Sequence, residues 1–230
     1  MLAIAPTPAA AGGLSAAQIA EALRRGGRQR RTAAVAQRIL DAFTEPQLRQ
    51  DELVEQAMGV ESLALLAMLN AVCESVDALA AATAAAFSQH PDYEVITSFP
   101  GLADISGAIV LGEVGDDRTR FTDDRALQAF AGSAPVTRAS GRSRTVTRRR
   151  TKNNRLAAIG YSWAFTAASR PSPTREHYLR RRNRGDGHAA ALRHLFNRML
   201  GQLHHCLTTG QTYDPAKAFP TAETRQPAAA

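Results

Sequence analysis

Residues 47–87 read QLRQDELVEQAMGVESLALLAMLNAVCESVDALAAATAAAF, a stretch without proline and with a single glycine, Gly59. From Leu65 onward, apolar and small residues are separated alternately by four and three positions: Leu65, Leu69, Val72, Val76, Leu79, Thr83 and Ala86. A repeat of about 3.5 residues is typical of a coiled-coil seam. We therefore predict a long coiled-coil helix over residues 47–90, through which the chain forms a homo-oligomer. A core helix of a bundle would show the same seam, and that alternative stays open.

Composition favours helices in the rest of the chain as well. Of the 230 residues, 44% are hydrophobic but only 6% are aromatic, which suits close-packed helices better than a β-sandwich. We predict an all-α protein with a linker at 1–13, a helical segment at 14–46, the long helix at 47–90, a C-terminal domain at 91–215 and a disordered tail at 216–230.

Several classes of protein are disfavoured by the sequence. It has no run of 18 consecutive apolar residues, which predicts no membrane-spanning helix and no membrane partner. Cys73 and Cys206 are its two cysteines, too few for a disulfide framework or a four-cysteine zinc site, so we expect a cytoplasmic protein. It also lacks a P-loop, a dinucleotide fingerprint and a Gly-x-Ser-x-Gly elbow.

Charge is distributed unevenly along the chain. The net charge is +7, yet residues 1–95 hold seven arginines against eleven acids, a net of −4. Residues 138–198 hold 16 basic residues against Glu176 and Asp186, a net of +14, and Lys152 is the one lysine among the 16. Because arginine binds phosphate in a bidentate manner and stacks on bases, this block predicts contact with nucleic acid.

Two segments are the best candidates for that contact. Phe99-Pro100-Gly101 precedes a small-residue helix and is similar to a helix-hairpin-helix turn, in which backbone N–H groups hold a phosphate. An ordinary interhelical turn is the alternative. Residues 135–154 are polar and cationic without an apolar period, which predicts an arginine-rich loop. The predicted nucleic-acid ligands are Gly101, Arg138, Gly141, Arg142, Arg144, Arg148, Arg149, Arg150, Lys152, Asn154, Arg155, Arg180, Arg181 and Arg182.

A nucleophile, if the chain carries one, should come from this cationic loop. Ser140 precedes Gly141 and is flanked by arginines, which would neutralise the oxygens of an attacked phosphodiester. Ser133 and Ser143 compete with it, and a serine in such a loop can simply be a phosphate ligand. We predict no metal site, because Glu113, Asp116 and Asp117, which could suggest magnesium, are equally typical of a solvated helix end.

The order of short motifs resembles the C-terminal domain of the insertion sequence 110 family of transposases. The motifs that carry the resemblance are Phe99-Pro100-Gly101, Ala108, Glu113-Val114-Gly115-Asp116, Arg120-Phe121, Ala129 to Pro135, Ala139-Ser140-Gly141, Asn154-Arg155-Leu156, Tyr178, Arg184-Gly185, the helix His188–Leu207 and Tyr213-Asp214. The linker Pro6 to Ala10 and the stretch Gly27 to Arg30 are similar to the middle region of that family.

The resemblance implies a bacterial, nucleoid-associated recombinase that acts on DNA with a guide (bridge) RNA. It places the nucleophile at Ser140. The family also has a RuvC-like domain whose acidic tetrad binds magnesium, and this sequence contains no counterpart, so we expect no cofactor in this chain and a truncated protein. The alternative function is a non-catalytic, dimerising remnant that binds nucleic acid or inhibits intact transposase.

Overall fold

The computed structural model describes residues 1–220, apart from the side chain of Arg144. The chain divides into an N-terminal unit, Met1–Leu79, and a C-terminal unit that begins at Ala80. Eleven helices and one pair of strands are present in the described part, so the mostly α-helical fold predicted from the sequence is confirmed. The predicted domain boundary near residue 90 stays a prediction.

Three short helices precede the long helix in the N-terminal unit: α1 (Pro8–Gly12), α2 (Ala16–Arg25) and α3 (Thr32–Thr44). Helix α1 lies inside the predicted linker and is capped by Thr7, whose side chain accepts a hydrogen bond from the Ala10 N–H. Ser15 and Gln18 form a capping box at the start of α2. Helices α2 and α3 bury a small core of Ile19, Ala20 and Ala36.

Helix α4 (Glu52–Phe87) confirms the long helix, although it begins five residues later than predicted. Its seam is exposed: Leu69, Val72 and Val76 each keep 58% of their surface. The helix is also long and apolar enough to cross a membrane by length and composition alone. The sequence prediction of no membrane-spanning helix relied on the lack of an unbroken apolar run, which a high average hydropathy does not require, and it stays a prediction.

The C-terminal unit contains α5 (Tyr93–Thr97), α6 (Asp104–Val114), α7 (Asp124–Phe130), β1 (Val136–Ser140), β2 (Ser143–Thr147), α8 (Asn154–Ser169), α9 (Pro173–Asn183), α10 (His188–Thr209) and α11 (Pro215–Ala218). Its core is built on α10, which repeats buried residues at helical spacing. Trp163 of α8 and Phe99 pack edge to face, with ring centroids 5.7 Å apart.

The close approach of α8 to α10 depends on Gly160. A Cβ atom at this position would lie 2.1 Å from Cζ of Phe196. The ring of Phe196 therefore occupies the space that a side chain at position 160 would need. Trp163 contacts the same ring on its other flank, at 5.9 Å between centroids.

The segment predicted as an arginine-rich loop forms an antiparallel β-hairpin, which we call the arginine hairpin (Val136–Thr147). The strands pair from Val136 opposite Thr147 to Ser140 opposite Ser143. The local signal for it is a glycine at the first of two turn positions between segments rich in threonine and valine. The predicted tail also begins too early: α11 is ordered and Phe219 is 5% exposed. Residues 221–230 of that tail lie outside the described residues.

Candidate nucleic-acid interface

The tip of the arginine hairpin is a two-residue turn of Gly141 and Arg142. Gly141 has φ +54°, a conformation that favours glycine, and a Cβ atom there would meet nothing within 4 Å. Every described side chain of the hairpin except that of Val136 is exposed. The hairpin therefore presents Ser140, Arg142 and Ser143 together at its tip.

Cationic side chains continue from the tip to the base of the hairpin. Arg138 is exposed on β1, and Arg148, Arg149 and Arg150 follow β2 directly. These four arginines line a cleft of about 630 Å³ at the base. Arg149 is half-buried there, and its Nε has no hydrogen-bond partner among residues 1–220. Arg144 lies on β2 opposite Ala139, and its side chain falls outside the described part of the protein.

The other predicted ligands near the hairpin lie at the start of α8. Asn153 caps this helix by accepting a hydrogen bond from the Leu156 N–H at 2.8 Å, and its side-chain amide donates to Glu113 at 2.7 Å. Glu113 also pairs with Arg155 at 3.1 Å, although the Arg155 side chain stays 85% exposed. Asn154 is exposed beside this cap, whereas Lys152 is half-buried. Sequence reasoning selected Asn154 and missed Asn153, which anchors the helix.

A second cationic cleft, of about 180 Å³, lies beside α9. It is lined by His177, Arg180, Arg181, Arg184, Arg198, Phe219 and Pro220. Burial and the neighbouring arginine charges lower the pKa of His177 to about 4, so this imidazole is neutral at pH 7. The sequence predicted Arg180 and Arg181 as ligands but not Arg184 or Arg198. Arg198 could not be found from the pattern of α9, because it comes from α10.

The third predicted arginine of α9 faces elsewhere. Arg182 donates a hydrogen bond to the carbonyl of Asp186 at 2.8 Å. Arg181 pairs with the carboxylate of the same aspartate. Arg181 and Arg182 thus stabilise the turn that follows α9. Arg180 is the least constrained of the three arginines, because its pair with Glu176 is exposed and 3.9 Å long.

Gly101 has a packing role in this structure. Its φ is +88°, and a Cβ atom would lie 2.8 Å from the backbone nitrogen of Ala167 and 2.9 Å from the carbonyl oxygen of Trp163. The indole N–H of Trp163 donates to the carbonyl of Pro100 at 3.0 Å. Contact with α8 thus accounts for the glycine in this turn, and its contact with nucleic acid stays a prediction.

The three candidate serines occupy different environments. Ser133 is 2% exposed, and its hydroxyl donates to Asn197 Oδ1 at 2.8 Å, so it serves the core. Ser140 and Ser143 are exposed and face each other across the end of the hairpin. Among residues 1–220, no acidic or basic side chain with a described position forms a hydrogen bond to either hydroxyl.

Potential metal ligands gather at a different place. His90, Asp92 and Asp116 bring ligand atoms within 4.8 Å of one another. Arg118 already pairs with the Asp92 carboxylate, which places a cation where a metal ion would have to be. Asp117 is engaged by Thr119, and Glu113 by Asn153 and Arg155, so the acidic residues singled out in the sequence do not converge.

Together these features define a helical protein that presents a cationic hairpin and a second arginine cleft, as expected of a domain that handles nucleic-acid phosphates. Residues 93–179 match the transposase IS116/IS110/IS902 family. The chain belongs to this family, which confirms the family resemblance drawn from its motifs.

Individual relatives agree with this assignment. The chain is 52% identical over 219 residues to the IS117 mini-circle protein of Streptomyces coelicolor, which is named as a transposase; the match covers 95% of this chain and 53% of the relative. It is 31% identical to the IS110 43.6 kDa protein of the same organism over 84% of this chain and 50% of the relative. A 44.8 kDa protein of IS116 from Streptomyces clavuligerus is 38% identical over 54% of this chain and 31% of the relative. The chain spans about half the length of the first of these relatives.

Proposed function

We propose that this chain is the DNA-contacting part of an insertion-element transposase and that Ser140 is its nucleophile. The observation that carries the proposal is the position of Ser140 at the exposed end of a hairpin, two residues from Arg138 on the same strand and two residues from Arg142 in the turn. Arginines at this position would bind the non-bridging oxygens of a phosphodiester and reduce the repulsion that an attacking oxygen meets. The neighbouring turn of Gly141 leaves room for the DNA backbone.

The reaction would proceed by transesterification. Oγ of Ser140 forms a bond to phosphorus while one P–O bond of the DNA backbone breaks, and the departing oxygen takes up a proton. Because no side-chain base with a described position contacts Oγ within residues 1–220, the serine proton would pass to water or to a group outside this part of the protein. We expect the purified chain to bind DNA but to be poor in strand transfer.

Magnesium enters the proposal only through the family resemblance, which implies an acidic tetrad in a RuvC-like domain. The cluster of His90, Asp92 and Asp116 does not fit that role, because Arg118 neutralises Asp92 and His90 contacts Asp116 at 3.2 Å. We therefore propose no cofactor for this chain and assign no step to a metal. A guide RNA, likewise implied by the family, is proposed as a second nucleic-acid partner.

Self-association through α4 is the other part of the proposal. Its seam residues Leu65 and Leu79 keep 57% and 68% of their surface, which is expected of a helix face that packs against another copy of the chain. Leu69→Asp with Val76→Asp should convert the oligomer to monomer in light scattering. Glu61→Ala with Asp77→Ala, also on α4, is the control. An unchanged mass in the first variant, or flotation of the wild type with phospholipid vesicles, would contradict the coiled coil.

The nucleophile is tested by trapping a covalent protein–DNA adduct. The chain is incubated with a plasmid that carries the ends of the insertion element, with an intact relative added in a parallel reaction, and adducts are separated under denaturing conditions. Ser140→Ala should abolish the adduct while duplex binding stays within about twofold, and Ser143→Ala should retain it. An adduct that persists in Ser140→Ala and disappears in Ser143→Ala would assign the nucleophile to Ser143.

A non-catalytic binding and dimerising function is the second candidate. The lack of an acid or base with a described position at Ser140 within residues 1–220 favours it. If no variant, nor the wild type with the intact relative, yields an adduct while salt-sensitive DNA binding persists, this second function is the correct one. Inhibition of the relative by both the wild type and Ser140→Ala would support it further.

A further inference from the structure

Four aromatic side chains meet on the surface of the C-terminal unit, and none of them belongs to the arginine hairpin or lines the cleft beside α9. The ring of His188 lies 5.8 Å from that of Tyr178 and 6.4 Å from those of Tyr161 and Phe165, and all three contacts are edge to face. We call this set of residues the aromatic platform. It joins three helices, because Tyr161 and Phe165 lie on α8, Tyr178 on α9 and His188 at the start of α10.

The platform is exposed although its members are large. Tyr161 keeps 48% of its surface and Phe165 keeps 54%, and His188 is exposed as well. Single exposed apolar residues are common in proteins, whereas several aromatic rings gathered at one place usually mark a binding surface. In a chain with only 6% aromatic residues, this concentration is a specific feature of the surface.

The rings are held in place by the fold beneath them. Tyr161 and Phe165 are one helical turn apart, and the opposite side of α8 is anchored in the core by Trp163 and Ala164. The hydroxyl of Tyr178 shares a hydrogen bond of 2.8 Å with Nδ1 of His188. Tyr178 and His188 are therefore fixed relative to each other before a ligand arrives, which reduces the side-chain entropy that binding costs.

The charge around the platform indicates the chemistry of its ligand. Arg182 follows Tyr178 by one turn of α9, and Arg184 is exposed at the end of that helix. Residues 175–184 carry five arginines against one acid, Glu176, so phosphate-binding cations lie on and directly after the helix that carries Tyr178. Proteins that hold single-stranded nucleic acid combine these two features, stacking bases on rings and tracking the backbone with cations.

We infer that the aromatic platform binds an unpaired base of a nucleic-acid strand by stacking on Tyr161 and Phe165, while Arg182 or Arg184 contacts the adjoining phosphate. The inference rests on the proposed nucleic-acid function and adds a distinct ligand to it, a splayed or single-stranded nucleotide rather than duplex DNA. RNA and single-stranded DNA share this chemistry, and the experiment distinguishes them.

The test compares the wild type with the variant Tyr161→Ala/Phe165→Ala. The probes are oligouridine, oligodeoxythymidine and a DNA duplex, each labelled with fluorescein. Stacking contributes about 5- to 150-fold in affinity per base, so the double variant should lose that much for at least one single strand. Its affinity for duplex and the salt dependence of that binding should not change. The single strand that shows the larger loss identifies RNA or DNA as the ligand.

Two further variants keep the result interpretable. Tyr161→Phe retains a ring and should bind single strands within about twofold of the wild type, and Leu179→Ala removes an apolar side chain of similar exposure, 41%, outside the platform. Equal losses for duplex and single strands, or equal losses in Leu179→Ala, would overturn the inference. So would unchanged single-strand binding in the double variant, which would leave the platform to a protein partner. Failure of the proposed function would instead appear as the absence of salt-sensitive duplex binding in the wild type.

Discussion

The salt dependence of DNA binding tests the arginine hairpin most directly. The perturbation is the fourfold variant Arg138→Gln/Arg142→Gln/Arg148→Gln/Arg150→Gln, which keeps part of each side-chain stem and a polar end while it removes the charged guanidinium. All four residues are exposed and lie on or directly after the hairpin. None of them forms an ion pair with another residue in the described part of the chain, so the substitutions leave no unpaired acid behind.

The magnitude follows from counterion release. Each phosphate neutralised on duplex DNA contributes about 0.9 to the slope of log affinity against log salt, so loss of four contacts should reduce the slope by about 3.6. Between about 50 and 200 mM salt, a fourfold change, the wild type should therefore weaken about 150-fold more than the variant does. Fluorescence anisotropy with a labelled duplex over this range measures both slopes.

A matched control separates the hairpin from net charge. Arg25, Arg28, Arg30 and Arg38 of the N-terminal unit are also exposed, and their replacement by glutamine removes the same four charges. The slope of the control should stay within about 0.9 of the wild-type slope, which is the contribution of one phosphate contact. If both variants lose equal slope, general electrostatic attraction binds the DNA, and the argument for a specific hairpin surface fails.

Three other predictions concern the fold that supports the site. Gly160→Ala should lower the free energy of unfolding by about 1–3 kcal/mol in urea titrations, because its Cβ would overlap the ring of Phe196, whereas Gly112→Ala, with open space around it on α6, should raise it by about 0.5–1 kcal/mol. The folded-state pKa of His177 lies below that of the unfolded chain, so stability should fall as pH drops from about 6.5 towards 4, and His177→Gln should flatten that fall in thermal melts; an unchanged profile would contradict it. Ser133→Ala should cost about 1–3 kcal/mol in stability without altering adduct formation, since the hydroxyl bonds within the core; loss of the adduct in a folded variant would assign it a role in the reaction.

Features that depend on neighbours along the chain were predictable from sequence. The period of seven residues from Leu65 onward predicted the long helix. The cationic character of residues 138–198 likewise required only composition. The sequence did not predict the hairpin although Gly141 lies in a recognisable turn, because this hairpin has almost no buried face and therefore shows no apolar alternation.

The candidate site was only partly predictable from the sequence. Ser140 and Ser133 both lie in or beside the cationic segment. No local sequence pattern indicates that Ser140 is exposed, whereas Ser133 donates a hydrogen bond to Asn197. The glycine of the predicted phosphate-binding turn, Gly101, is explained by contact with Ala167. Such roles are set by residues more than sixty positions away.

The sequence by itself therefore determined the helical class, the seven-residue repeat of α4, the cationic C-terminal half and the family to which the chain belongs. Only the tertiary structure decided which serine faces solvent, that Arg198 joins Arg180 in one cleft, and that Tyr161 and His188 share a platform. The physical reason is that helix period and capping arise within a few residues, whereas burial and clustering arise where α8, α9 and α10 pack together.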